Sequence, residues 1–282
     1  MQDNSLITAA GVPMPRIIYG TAWKKEWTRE LVVAAVTAGF RGIDTAGQPR
    51  HYAEALVGAA LADVQRAGVP RESLFVQTKF TPADGQDPEN IPYDPAAPLE
   101  EQIRQSVEAS LGNLQTSYLD SLLLHSPFNS HVRTMQAWQT LEELYDSGRT
   151  RQLGISNCYN LDVLRSLYGD ARIKPAVVQN RFYAQTGYDA PLRQWCAENG
   201  VIYQGFWTLT ANPHILASET VRDLAIKHGR SEAQVFYRFL TQLGIVPLNG
   251  TTSLAHMRED LDIFSFALDM GDMGDILRLM GF

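Results

Sequence analysis

The sequence predicts one α/β domain over residues 1–282, folded as a (β/α)8 barrel. Short β-rich runs alternate with amphipathic helical stretches, and eight such runs follow one another over about 250 residues, the usual size of this barrel. No G-x-G-x-x-G turn follows any of the runs, which argues against a doubly wound dinucleotide-binding sheet. No shift in composition and no Ser/Gly-rich linker divides the chain.

The eight predicted strands are rich in β-branched and aromatic residues. In chain order they are RIIYGTA (16–22), FRGIDTA (40–46), SLFVQTKF (73–80), YLDSLLLH (118–125), RQLGISN (151–157), AVVQNRF (176–182), VIYQGFW (201–207) and GIVPLNG (244–250). Apolar residues at three- and four-residue spacing predict intervening helices, most clearly over 98–114 and 134–148. The first has acids in its opening turn, and the second ends at Gly148, a C-cap residue.

Two segments lie outside this repeat. Residues 6–15 precede the first strand, and we expect a short hairpin there that caps the barrel floor. Residues 81–97 contain four prolines and little apolar content. Loops longer than about 12–15 residues are usually functional or disordered, so the position directly after the third strand predicts a rim or lid element.

Charge and composition exclude several classes of protein. With 31 acidic and 24 basic side chains the net charge is −7, and no Lys/Arg-rich run is present, which argues against a nucleic-acid partner. We expect no membrane partner, because no apolar stretch approaches the roughly 20 residues that span a bilayer and no secretory signal is visible. Cys158 and Cys196 form neither a metal spacing nor a disulfide framework, so the sequence predicts a cytoplasmic protein without a metal site.

Three ionisable residues lie at the ends of neighbouring predicted strands. Asp44 and Lys79 lie near the ends of the second and third runs, and His125 is the last residue of the fourth. Each has a structural interpretation when taken alone: a helix cap, a solvated lysine and a satisfied core histidine. Barrel enzymes place their active sites at the carboxyl ends of the strands, so we expect the three to converge on one catalytic patch.

A series of motifs then resembles the aldo-keto reductase superfamily. In family order, from about residue 12 to 265, they are G-F-R-G-I-D-T-A, Y-A-E-A-L-V-G, F-V-Q-T-K, L-D-S-L-L-L-H-S-P, G-I-S-N, V-V-Q-N, G-T-T-S and R-E-D-L. The resemblance implies an enzyme that uses NADPH, with NADH less favoured, to reduce an aldehyde or ketone to the alcohol by hydride transfer. It also implies a small-molecule carbonyl substrate and a monomer or small homo-oligomer.

The family uses an Asp, Tyr, Lys and His tetrad, and the resemblance assigns Asp44, Lys79 and His125 to it directly. The usual spacing would place the tyrosine at position 49, which is proline here; counting back from Val57–Gly58 gives His51, with Tyr52 beside it. We assign Tyr52 as the proton donor and keep His51 as the rival. Lys79 is expected to lower the pKa of the phenol, Asp44 to hold Lys79, and His125 to orient the carbonyl.

The resemblance also implies a cofactor site. Its members are Thr21, Ala22, Asp44, Ser156, Asn157, Gln179, Phe206, Trp207, Thr208, Leu209, Gly250, Thr251, Thr252, Ser253 and Arg258. Of these, Ser156, Asn157 and Gln179 match the carboxamide trio, and Phe206 the aromatic that stacks on the nicotinamide. The family's phosphate-site lysine is missing, so we expect backbone N–H groups and Arg258 to bind the phosphates.

Aromatic residues near the strand ends predict an apolar pocket for a hydrophobic or aromatic carbonyl compound. Trp23, His51, Phe80 and Phe128 are its candidate substrate contacts. About twenty residues follow the R-E-D-L motif, so we expect the 81–97 loop to take over part of the closing role of the family's longer tails. The displaced tyrosine leaves two alternatives open: a cofactor-binding regulatory subunit and a non-redox carbonyl enzyme on the same barrel.

Overall fold

The computed structural model describes residues 5–282 and contains a closed barrel of parallel strands. A two-stranded antiparallel hairpin, β1 (Ser5–Ile7) and β2 (Pro13–Pro15), precedes it. The barrel strands are β3 (Ile18–Gly20), β4 (Gly42–Asp44), β5 (Phe75–Phe80), β6 (Ser121–Leu124), β7 (Leu153–Ser156), β8 (Val177–Arg181), β9 (Ile202–Phe206) and β10 (Val246–Asn249). Each strand pairs with its neighbour in sequence, and β10 pairs with β3 to close the ring. All eight lie inside the predicted runs, so the barrel is confirmed.

Helices connect the strands and cover the outside of the barrel. They are α1 (Thr28–Ala38), α2 (Glu54–Arg66), α3 (Leu99–Leu114), α4 (His131–Asp146), α5 (Leu161–Asp170), α6 (Ala190–Glu198), α7 (Pro213–Leu216), α8 (Glu219–His228), α9 (Glu232–Gln242), α10 (Leu254–Leu261) and α11 (Met270–Leu279). The prediction for 98–114 matches α3. Helix α4 begins earlier than predicted because Ser130 Oγ caps it by accepting from Arg133 N. None of the helices within residues 5–282 is long and apolar enough to cross a membrane.

The apolar side chains form two layers on either side of the barrel wall. The lumen contains Met14, Ile18, Phe75, Ala176, Val177, Leu123, Val246 and Leu248, whereas a larger cluster fills the space between strands and helices. Met14 of the hairpin is fully buried, and its sulfur accepts a hydrogen bond from Gln204 Nε2 at 3.2 Å. The hairpin therefore closes the barrel floor, as predicted.

The 81–97 segment lies on the rim at the opposite end. Gln86 Nε2 donates to the Gly47 carbonyl at 2.8 Å, and Gln48 Nε2 donates to the Gly85 carbonyl at 2.6 Å. Buried Tyr93 donates its hydroxyl to the Thr81 carbonyl at 2.8 Å. These contacts fix the loop against the chain that follows β4, so it is an ordered rim element beside the strand ends.

Candidate active site

Asp44 and Lys79 form a buried ion pair at the carboxyl ends of β4 and β5. Lys79 Nζ donates to both Asp44 carboxylate oxygens and to the Thr45 carbonyl, each at 2.8 Å. Only 1% of Lys79 and 2% of Asp44 is exposed. Burial lowers the pKa of Lys79, while the Asp44 charge and hydrogen bond and, less strongly, the Glu54 charge oppose that change. Because each charge of such a pair depends on the other, the two residues act as a unit.

Three glutamines lie beneath Asp44 inside the barrel. Gln77 Nε2 and Gln179 Nε2 both donate to Asp44 Oδ1, at 2.8 and 3.0 Å. Gln204 Oε1 accepts from the same two amides, at 2.8 and 2.9 Å. Sequence reasoning missed Gln77 and Gln204. The signal was present, because Gln77 is two residues before Lys79 on one strand and so shares its face.

The structure brings Tyr52 and His125 to the same patch. Lys79 Nζ lies 5.4 Å from the centroid of the Tyr52 ring, and the Tyr52 and His125 ring centroids are 6.4 Å apart. Burial raises the pKa of Tyr52, and the Asp44 charge raises it further. The expected lowering by Lys79 is therefore wrong for this arrangement, because the ammonium lies over the ring and directs its hydrogens to Asp44 and Thr45.

His125 is held as a neutral imidazole. Burial lowers its pKa to about 3, helped by the charges of Lys79 and His51. Its Nδ1 is 2.6 Å from Thr81 Oγ1, and its main-chain N–H donates to the Phe80 carbonyl at 2.9 Å. Thr81, which the sequence reasoning did not single out, therefore helps to fix the ring.

His51 lies on the rim, where it contacts Gln48 and Trp23. Its Nδ1 is 3.0 Å from Gln48 Oε1, and its ring centroid is 4.0 Å from that of Trp23. Burial and the nearby Arg50 charge lower the pKa of His51. Trp23 is 55% exposed, so this aromatic pair forms one open edge of the mouth.

The predicted nicotinamide-side residues line the next strand ends. Ser156 Oγ donates to the Gln179 carbonyl at 2.7 Å, and Asn157 Nδ2 donates to the His125 carbonyl at 2.9 Å. Thr21 Oγ1 donates to the Asp44 carbonyl at 2.9 Å, with Ala22 beside it on the rim. Phe206 packs against the lumen cluster and Trp207 is 46% exposed, whereas Thr208 is buried and Leu209 packs on the outer layer.

The loop after β10 contains the predicted phosphate residues. Buried Asn249 bridges it, because its Nδ2 donates to Asp260 and its Oδ1 accepts from Thr251 N at 2.8 Å. Ser253 caps α10 by accepting from His256 N, and Thr252 and Arg258 are exposed. Lys24, missed in the sequence, donates to the Gly250 carbonyl and so brings an ammonium to this loop.

Two predicted substrate contacts lie elsewhere. Phe80 is fully buried in the outer layer, where its ring centroid is 5.6 Å from that of Tyr93. Because Lys79 points into the lumen and successive strand residues alternate, Phe80 faces the helices and does not line the mouth. Phe128 also packs against the outer layer, beneath the Arg133 guanidinium.

Comparison with known proteins agrees with this architecture. The profile of the Aldo/keto reductase family matches residues 16–279. The chain is 32% identical to a glyoxal reductase of Bacillus subtilis, covering 88% of this chain and 81% of that protein. It is 29% identical to an NAD/NADP-dependent indole-3-acetaldehyde reductase of Schizosaccharomyces pombe, covering 96% and 93% of the two chains.

Solved structures agree as well. An aldo-keto reductase from a deep-sea metagenome library, MGS-M4, superposes with a TM-score of 0.85 at 28% identity, covering 98% of this chain and 94% of that one. An aldo/keto reductase from Brucella melitensis gives a TM-score of 0.83 at 26% identity, covering 98% of both chains. With the family profile matched over nearly its whole length, this chain belongs to the aldo/keto reductase family of oxidoreductases.

Proposed function

We propose that this protein reduces an aldehyde or ketone to the alcohol, with NADPH as the hydride donor. The observation that carries the proposal is the convergence of Asp44, Lys79, Tyr52 and His125 at one end of the barrel. Family membership supports carbonyl reduction in general. A further relative, 30% identical over 95% of this chain, is a morphine 6-dehydrogenase of Pseudomonas putida, so relatives act on substrates of very different size.

Tyr52 is the proton donor in this proposal. Hydride arriving at a carbonyl carbon leaves negative charge on the oxygen, which a positioned acid must neutralise. Because the pKa of Tyr52 is raised, the phenol is protonated throughout the neutral range. The Lys79 ammonium, held by Asp44, balances the Asp44 charge, which would otherwise oppose the loss of the phenolic proton still more strongly.

His125 orients the substrate carbonyl. In this proposal the Thr81 hydroxyl donates to Nδ1, so that the ring proton is on Nε2 and is free for the substrate carbonyl. With its pKa lowered to about 3, the imidazole stays neutral across the working pH range. It can then donate a hydrogen bond without competing with Tyr52 as an acid.

The cofactor site fits a nicotinamide dinucleotide. Ser156, Asn157 and Gln179 surround the lumen beside Asp44 and would hold the carboxamide, while Phe206 offers its ring to the nicotinamide face. At the far end Lys24 and Arg258 would bind the phosphates, and this pair favours NADPH over NADH. When bound, the cofactor supplies the hydride.

The substrate enters along the open edge made by Trp23 and His51. An exposed indole against an imidazole offers a flat apolar surface, which suits a hydrophobic or aromatic carbonyl compound. The 81–97 loop, bound to Gly47 and Gln48, borders the same opening.

Reduction of 4-nitrobenzaldehyde, followed by NADPH absorbance, tests the assignment. Tyr52→Phe should lower kcat by about 10²–10⁴ because it removes the acid. His51→Ala should change kcat less than about tenfold and act mainly on KM, because His51 contacts Trp23 at the rim. The reverse pattern would make His51 the donor. Tight NADPH binding without turnover of any carbonyl compound would instead indicate a regulatory subunit.

A further inference from the structure

Arg181, the last residue of β8, has its guanidinium in contact with two aromatic rings. The central carbon lies 4.2 Å from the Trp207 ring centroid and 5.2 Å from that of Tyr183. Its Nε is buried and has no hydrogen-bond partner. Within residues 5–282 no carboxylate pairs with it, whereas Arg71 and Arg172 each bind an aspartate at 2.8 and 2.6 Å.

The position of Arg181 places it at the barrel mouth. It pairs in register with Phe206, so its side chain rises beside the predicted nicotinamide-stacking ring. Its main-chain N–H donates to the Tyr159 hydroxyl at 3.2 Å, and that hydroxyl donates to Asn157 Oδ1 at 3.2 Å. Asn157 in turn binds the His125 carbonyl. Arg181 is thus linked by hydrogen bonds to the wall where the cofactor is expected.

The two rings contact the guanidinium, and its Nε has no acceptor. Stacking on aromatic faces pre-orients arginine and reduces the entropy lost when its fork binds a partner. A buried N–H without an acceptor is costly, and a carboxylate or phosphate oxyanion is the group that satisfies this fork best. In an acidic protein, an arginine left without a carboxylate is free to bind an anionic ligand.

We propose that Arg181 is an anion-binding residue of the barrel mouth, held by Trp207 and Tyr183, that binds an oxyanion of the bound ligands. Two sources share this chemistry: the pyrophosphate of the dinucleotide and a carboxylate carried by the carbonyl substrate. The identity of these ligands rests on the proposed function, but the anion site itself does not.

Two measurements on Arg181→Gln identify the source. If the anion is the pyrophosphate, the Kd of NADPH, measured by fluorescence, rises roughly tenfold to a hundredfold. If it is a substrate carboxylate, KM rises by a similar factor for 4-carboxybenzaldehyde and stays unchanged for 4-nitrobenzaldehyde. Arg181→Lys, which keeps the charge and loses the fork, should give a smaller change of the same kind.

The matched control is Arg222→Gln, which removes the same charge from the exposed face of α8. It should leave both quantities unchanged. If neither the Kd of NADPH nor the KM for the carboxylated aldehyde changes in a folded Arg181→Gln protein, the proposal is overturned while the reductase function stands. Absence of turnover in the wild type would overturn the function alone, because NADPH binding is measured without turnover.

A binding experiment on the wild type covers the case in which Arg181→Gln does not fold. Inorganic pyrophosphate and benzoate are titrated against tryptophan fluorescence, since Trp207 lies on the guanidinium. A fluorescence change that disappears in Trp207→Phe supports the site. No change with either anion, or a change that persists in Trp207→Phe, overturns it.

Discussion

The two walls of the barrel mouth are built differently. On the wall formed by β4–β6, Asp44 and Lys79 are almost fully buried and every hydrogen of the ammonium has an acceptor. On the wall formed by β7–β10, Trp207 is 46% exposed, and Arg181 and Arg258 have no carboxylate partner among the described residues. The fold itself thus satisfies the Asp44–Lys79 pair, whereas the arginines of the other wall are left for a ligand to satisfy. We call the β4–β6 wall the catalytic wall, after its proposed role.

The largest effect is expected on the catalytic wall, from Lys79→Met. Removing the ammonium leaves Asp44 as a buried charge without its cation, which typically costs about 3–5 kcal/mol. We expect a loss of this size in the free energy of unfolding, measured with urea, together with loss of turnover. Lys25→Met, at an exposed lysine, is the control and should change neither. A folded Lys79→Met of wild-type stability would show that the wall is not a single unit.

The comparison of the walls also separates what the sequence could predict from what it could not. The eight strands were predictable because each is a short apolar run between turn and helix signals. Asp44, Lys79 and His125 were predictable as a group because carboxyl ends of neighbouring parallel strands meet. The single domain over 1–282 and the roles of these residues stay predictions.

Other features depend on which face a strand residue occupies and on packing across the barrel. Phe80 follows Lys79 directly and packs against the helices. This could be predicted only if it was already known that Lys79 points inward. Gln77 and Gln204 meet across the lumen from strands far apart in sequence. The raised pKa of Tyr52 depends on burial and on where the Lys79 hydrogens point, which no spacing reveals.

A second prediction concerns Asp260 of α10, which contacts the end of β10. It is 4% exposed, hydrogen bonded by Asn249, and burial raises its pKa to about 7. An unfolded chain releases this proton near pH 4, so the folded state holds it over a window from about pH 4 to 7, and stability falls as pH rises through that window.

Asp260→Asn removes the ionisable carboxyl group and keeps an oxygen that can accept the hydrogen bond from Asn249. The free energy of unfolding of the variant, relative to that of the wild type, should therefore increase as pH rises, by at most about 1.4 kcal/mol per pH unit. Urea unfolding at pH 5, 6 and 7 measures the gain. If the difference in the free energy of unfolding between the two proteins were the same at all three pH values, the pKa of Asp260 would not be raised in the folded state.

A third prediction tests how far the catalytic wall extends into the lumen. Gln77→Leu removes one donor from Asp44 and one from Gln204, and should cost about 1–3 kcal/mol of stability. Because Asp44 holds Lys79, the pH profile of kcat should also shift. Gln242→Leu is the control. Gln242, the last residue of α9, forms two hydrogen bonds with the Leu268 main chain, so its loss should cost stability and leave the pH profile of kcat unchanged. If the pH profile of kcat were the same in both variants, Gln77 would not belong to the catalytic wall, which would then consist of Asp44 and Lys79.

The smallest effect should come from salt, and it should separate the two walls. Exposed Arg258 and half-buried Lys24 are screened within roughly 10 Å at 0.1 M salt, whereas the buried Lys79–Asp44 pair is not. Raising salt from 0.05 to 0.5 M should weaken NADPH binding roughly two- to fivefold, as expected for exposed charge pairs. With saturating NADPH, kcat should stay constant over the same range. If kcat fell with salt while the Kd of NADPH stayed constant, the salt-sensitive charges would lie on the catalytic wall. The contrast between the two walls would then be wrong.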